Sequence, residues 1–236
     1  MESRKVVVEP KAVRKPAARA ARGDSVSSPG RRERNKQEKL ARIVGAARQL
    51  FDTKGFAETT TQEIAEHADI GTGTLFLYAK SKEDLLIMVF RDEMIETSEA
   101  AFRSMPATTS LVEQLMHVFV MMVAYHDRDR DLARILLKEI MFPANPERRS
   151  DVSGLMRVIY GGIANLVVLG QQADRLRAGA DADLAAQNLF AVYYMGLIIW
   201  LSGATTKKRF VEQLGVKLSI AVEGLVAAHA EGNHHD

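Results

Sequence analysis

Apolar residues recur along this chain at helical intervals, and no stretch alternates apolar with polar in the manner of a strand. From Lys36 to Phe51, the positions Leu40, Ile43, Val44, Ala47, Leu50 and Phe51 fall three, four and seven apart, which predicts an amphipathic helix. Gly55 follows its last turn, where a glycine commonly ends a helix. Two short helical segments come after the threonine run 59–61, and a longer one begins at Ser81. There SKED (81–84) sets Ser81 three residues ahead of Asp84, close to the reciprocal cap of a helix start. The spacing then predicts helices over about 81–104, 108–126, 129–141, 147–174, 182–202 and 207–228. Pro106, Pro143, Pro146, Gly179 and Gly203 fall at the breaks. With no strand period and no internal repeat, the expected class is all-α.

Charge divides the chain more sharply than the helix pattern does. Residues 1–82 carry 17 Lys/Arg against 10 Asp/Glu, whereas residues 83–236 carry 15 against 20. A net of +7 followed by −5 places a polyanion partner at the N-terminal end. Residues 1–33, rich in Ala, Arg, Lys, Pro and Ser, lack any apolar period and read as a flexible basic arm. The expected organisation is therefore this arm, a small unit over 34–80, a helical body over 81–228 and a polar tail over 229–236. There are no cysteines, which excludes disulfides, thiolate metal sites and cysteine nucleophiles. The apolar run LFAVYYMGLIIWL (189–201) is shorter than the roughly 20 residues a bilayer needs, so it predicts a buried core helix. A soluble, cytoplasmic protein without a membrane partner is expected.

The stretch IAEHADIGTGTLFLYAKSK (64–82) decides between chemistries. A dinucleotide fingerprint needs a third glycine where Phe76 stands, and a preceding strand; a P-loop needs a Gly-Lys-Ser/Thr that is absent. Tyr78 and Lys82 have the Tyr-x-x-x-Lys spacing of short-chain dehydrogenases, but that fold alternates strands with helices. A helix-turn-helix makes demands that are met. Thr61 can cap the first short helix, Ile64 and Ala68 share a face, and the small Ala65 permits close approach. Asp69 or Gly71 can supply a left-handed turn residue, and Ile70 plugs the corner. Leu75 and Ala79 then face inward, leaving Thr72, Gly73, Phe76 and Leu77 outward with Thr74 and Tyr78 on the flanks. Lys82 opens the next helix at phosphate height. Arg31, Arg32, Arg34, Lys36 and Lys39 add sequence-independent phosphate affinity. An apolar contact of Phe76 or Leu77 with a thymine methyl is set against simple packing on the first helix.

On these residues the segment 35–86 resembles the DNA-binding domain of the tetracycline-repressor (TetR) family of bacterial transcription regulators. The features are a first helix ending in Phe51 and Gly55-Phe56, then TTxxIA (60–65), the run 73–78 and SKEDLL (81–86). The resemblance implies that Thr61 and Gln62 meet phosphate or a base edge. It implies that Thr72, Gly73 and Thr74 enter the major groove, with Phe76, Tyr78 and Lys82 against backbone and base edges. Phe76 stands where the family usually has tyrosine, Ala79 replaces a common phenylalanine, and Asp69 occupies the usual glycine of the turn. The body agrees with the family in architecture.

Elsewhere the chemistry is thin. The histidines show no metal-ligand spacing, DRDRD (127–131) lacks the glycine and glutamate of an EF-hand, and no catalytic arrangement presents itself. No enzyme activity, metal or cofactor is expected. Met122, Met156, Tyr160, Asn165 and Tyr194 are the candidate lining of an adaptable, largely apolar effector pocket. The last two helices carry apolar residues over more than one face: Val211, Leu214, Leu218, Ala221, Val222 and Leu225 form one stripe, and Gly196 and Gly203 allow close approach. The resemblance implies that these two helices pair with their two-fold mates in a four-helix homodimer interface. The expected function is a homodimeric repressor that binds a double-stranded DNA operator and is released by an apolar or amphipathic small molecule. The alternative is an all-α scaffold with a nonspecific nucleic-acid-binding tail, for which deleting 1–33 abolishes DNA binding.

Overall fold

The structure, a computed structural model, describes residues 30–106, 109–143 and 146–226, the Glu147 side chain excepted. The described residues form helices α1 (Arg31–Lys54), α2 (Thr61–His67), α3 (Thr72–Leu75), α4 (Lys82–Arg103) and α5 (Leu111–Asp127). They continue through α6 (Arg130–Met141), α7 (Pro146–Gln172), α8 (Ala182–Leu201) and α9 (Lys207–Glu223). Only an isolated bridge, Leu176 to Val226, departs from this all-α pattern among the described residues.

α1–α3 make a small head whose centre is Ile43, Ala47, Phe51, Ile64, Ala65 and Leu75, all buried. α1 starts at Arg31, within the expected arm and ahead of the apolar period. Its first turns are exposed, and good helix formers such as Arg, Glu, Lys and Gln extend it without burial. The expected arm residues 1–29 and tail residues 229–236 lie outside the described residues.

α4 leaves the head and runs into the body, where it packs on α1, α5, α6 and α7, while α8 is sandwiched between α7 and α9. The body's centre is a stacked pair, Phe119 on Tyr193 with ring centroids 4.5 Å apart. Gly196 lets Phe210 of α9 lie against α8, since a Cβ there would come within 2.4 Å of the ring. Gly203 serves differently from the expected close approach: with φ 86° it makes the turn between α8 and α9. α8 is longer than its apolar run, and it and residues 148–172 of α7 are long and apolar enough to cross a membrane by composition. About half of the α8 window is buried within the fold, as a core helix requires.

α9 is apolar on two sides. Leu214, Leu218 and Val222 of its stripe are buried, because that side of α9 closes the core over α8 and α5. The exposed apolar residues are instead Val216 and Ile220 on α9, 63% and 64% exposed, with Leu184, Met195 and Ile199 on α8.

Candidate nucleic-acid interface and ligand cavity

Local hydrogen bonds fix the head's geometry. Thr60, not Thr61, caps α2: its hydroxyl accepts from the Glu63 amide while Glu63 returns a bond to the Thr60 amide. Thr-x-x-Glu at 60–63 carried this signal in the sequence. The Lys54 ammonium, then Thr60, hold the Glu63 carboxyl down to about 2. Asp69 takes the left-handed turn conformation with φ 53°, and Gly71 does not need its freedom. Ile70 N–H returns to the Ala65 carbonyl at 3.0 Å, closing the corner.

The second helix of the pair is short. α3 gives way after Leu75 to a tight turn through Phe76, Leu77 and Tyr78. Leu75 and Ala79 are buried, so Phe76 and Leu77 between them are pushed outward, 40% and 78% exposed, and Gly73 ahead of them is exposed as well. Thr72, Thr74 and Tyr78 are half-buried at the flanks. The basic start of α1 comes to the same side. A cleft of about 700 Å³ is lined by Arg32, Glu33, Lys36, Lys39 and Tyr78, joining the largely basic start of α1 to the end of the outward turn. Arg31 and Arg34 are exposed on the same helix. At the edge of this face, Thr61 is half-buried and the exposed Gln62 donates to Glu66 at 3.0 Å.

Lys82 has another task than the expected one. Its ammonium donates to the carbonyls of Phe56 at 2.6 Å, Thr59 at 2.9 Å and Ala57 at 3.1 Å, and sits 4.4 Å from the Phe56 ring centre. Three acceptors use its three protons, so it braces the α1–α2 turn rather than waiting for a phosphate.

In the body, Met122, Met156 and Tyr194 line one small cavity with Phe90, Phe190 and Tyr193. Its volume is about 20 Å³. Tyr160 stands behind Phe190, edge-on at 5.4 Å. Asn165 is a correction: it is exposed on α7 and is not among the residues that line this cavity. Sequence spacing missed His126, which lines this cavity and also a second one of about 270 Å³ between head and body. That junction cavity is bounded by Phe51 and Asp52 of α1, Glu93 of α4 and Tyr125 of α5. Burial holds the His126 imidazole down to about 4, so it is neutral. Tyr125 donates to Glu93 at 2.6 Å, and Arg48 pairs with Glu93 at 3.2 Å, so α1, α4 and α5 meet at this carboxylate.

The base of the head is held by a buried cation. Arg148 of α7 donates to Asp84 and Ser81 at the start of α4 and to Glu139 near the end of α6. The other oxygen of Asp84 accepts from the backbone of Lys80 at 2.7 Å and Ser81 at 3.2 Å.

A helix-turn-helix head with outward small and apolar side chains, flanked by a basic helix and carried on a helical body, defines a DNA-binding protein. The profile of "Bacterial regulatory proteins, tetR family" matches residues 43–89, the whole turn and the start of α4. The HTH-type transcriptional regulator TtgR of Pseudomonas putida is 30% identical over 173 residues, covering 69% of this chain and 79% of its own. The fatty acid metabolism regulator protein of Bacillus subtilis is 24% identical over 168 residues, 71% of this chain and 86% of that one. The crystal structure of Thermus thermophilus FadR, a repressor in complex with lauroyl-CoA, superposes with a TM-score of 0.65 at 27% identity, covering 83% of this chain and 99% of the other. The chain belongs to the tetR family of DNA-binding transcription regulators.

Proposed function

We propose that this regulator is a cytoplasmic homodimeric repressor whose grip on a palindromic operator is released when a small molecule enters the helical body. The observation that carries the reading is the outward turn Thr72–Tyr78 beside the basic cleft of α1, an apolar and hydroxyl surface with no structural partner at Leu77. Thr61, Gln62 and Gly73 complete the groove surface, and Arg31, Arg32, Arg34, Lys36 and Lys39 supply the phosphate contacts. One head reads too few base pairs to be specific, and two heads about 34–36 Å apart address successive turns of one DNA face. The dimer is supported by Met195, Ile199, Val216 and Ile220, an apolar face across the two last helices.

Coupling follows the buried cation. Leu137 and Ile140 of α6 form part of the small cavity's wall, and Glu139 between them reaches Arg148. Arg148 holds Asp84, and Asp84 holds the amides of Lys80 and Ser81, the residues that follow the outward turn. A ligand that displaces α6 therefore pulls on the point where the head joins α4. Moving the equilibrium from 1:99 to 99:1 takes about 5.5 kcal/mol of differential affinity, shared here between two pockets. Lauroyl-CoA, bound by the Thermus FadR, is one effector to try.

The test is a mobility-shift titration of the full chain on the DNA upstream of its own gene, with and without a panel of apolar and amphipathic compounds. Binding that prefers this DNA over scrambled sequence, and that falls with an effector, is expected. Equal binding to both DNAs overturns the regulator reading in favour of the scaffold; specific binding indifferent to every effector overturns only the release step.

A further inference from the structure

The small cavity of the body carries more information than its size. It has no Lys, Arg, Asp or Glu in its lining, yet three of its lining residues carry a buried polar atom without a hydrogen-bond partner: His126 Nδ1, Tyr193 Oη and Tyr194 Oη. Tyr193 and His126 are 1% and 3% exposed, so water outside the fold does not reach them. Leaving buried donors and acceptors unpaired is costly, and native cores rarely do it without a reason. Here three residues bearing such atoms line one cavity. Burial, followed by the neighbouring phenol of Tyr194, raises the Tyr193 hydroxyl, and burial with the phenol of Tyr160 raises that of Tyr194.

The rest of the lining is aromatic and thioether. Phe190 stacks on Tyr194 at 5.7 Å and leans on Tyr193 at 5.6 Å, while Met94, Met122 and Met156 fill the remaining wall. Methionines change rotamer at little cost, so a cavity of about 20 Å³, room for one water, can open to a larger guest. A saturated acyl tail would fill that space but leave all three polar atoms unpaired. A carboxylate or phosphate would be buried there with no Lys or Arg in the lining to pair with it.

We infer that this cavity selects a neutral aromatic compound carrying two or more hydrogen-bonding groups, a dihydroxybenzene or hydroxyaryl ketone, with its ring against Phe190 and its polar groups shared by His126, Tyr193 and Tyr194. The inference rests on the reading that the body holds the effector, and it differs from a long-chain acyl thioester in the chemistry at the deep end.

The experiment is calorimetric titration and thermal-shift measurement on the full chain with resorcinol, its methyl isostere m-xylene, and lauroyl-CoA, each followed by operator retention in the same samples. Resorcinol is expected to bind at least about tenfold more tightly than m-xylene, and the Tyr193→Phe and Tyr194→Phe variants to narrow that ratio toward one. Tyr193→Phe is also expected to raise the melting temperature of the free protein, because it deletes an unpaired hydroxyl. Equal binding of resorcinol and m-xylene overturns the inference. So does binding of lauroyl-CoA alone with no effect of either variant. No binding by any aromatic compound at millimolar concentration, with a lower melting temperature for Tyr193→Phe, assigns the three atoms to a single bridging water and also overturns it. Tight resorcinol binding that leaves operator retention unchanged preserves the inference and removes the release step.

Discussion

The head and the body of this regulator solve opposite problems with the same helices. In the head, the functional side chains point out, and the polar atoms that shape it are paired close by: Thr60 with Glu63, Ser81 with Asp84, Ile70 with Ala65. In the body, the side chains proposed to meet an effector line a small cavity, and His126, Tyr193 and Tyr194 there carry polar atoms without partners. A surface that meets a ready-made duplex gains from rigidity before contact. A cavity that must respond to a guest gains from being incomplete without one. The buried Arg148 sits between the two regimes, fully engaged and reaching both.

That contrast can be broken most severely at the head's own core. Leu75→Asp puts a carboxylate where exposure is zero, an uncompensated burial worth several kcal/mol. Operator binding by mobility shift is expected to vanish while sedimentation still reports an intact dimer; retained binding would show that the turn does not depend on that contact. The paired change Val216→Glu and Ile220→Glu attacks the outer face of α9. It is expected to give monomers in sedimentation and to lower operator affinity about a thousandfold, toward the nonspecific level.

Removing the cation between the regions comes next. Arg148→Ala leaves Asp84 and Glu139 facing each other in a dry site, and a loss of about 3–5 kcal/mol in urea unfolding is expected. A loss below 1 kcal/mol would mean that the pair is solvated. His126 sharpens the comparison through pH. Its folded pKa of about 4 lies below the ordinary 6.5, so the unfolded chain takes up a proton that the folded chain refuses. Above pH 6.5 the residue contributes no slope; stability then falls as pH drops toward 4, by up to about 3 kcal/mol, and levels off below. His126→Gln is expected to flatten the wild-type slope between pH 6.5 and 4.5 in parallel denaturation curves. The smallest effect is Leu77→Ala. At 78% exposure it is expected to leave stability within about 0.5 kcal/mol and to weaken operator binding about fivefold.

How much of this was legible depended on the range of the interactions. The cap at Ser81 and the inward pair Leu75 and Ala79 follow from spacing within a few residues, and the sequence pattern found them; it narrowed the left-handed position to Asp69 or Gly71, and the structure selects Asp69. The cap at Thr60 was equally local and was misassigned by one position. Lys82 read as a phosphate ligand because its three carbonyl acceptors lie 23 to 26 residues earlier in the chain. Asn165 was misplaced for a related reason. Periodicity identifies a helix face but not which neighbour covers it, and the regular stripe of α9 is covered by the chain's own core.

The amino-acid order alone determined the helices, their breaks and the outward turn, because capping, left-handed φ and i, i+4 burial are settled within one or two turns of backbone. Only the tertiary structure decided what Lys82, Asn165 and His126 do, since each of those roles depends on atoms brought together from distant helices. Three residues of α5 and α8 that bear partnerless polar atoms are invisible as a group until packing lines one cavity with them.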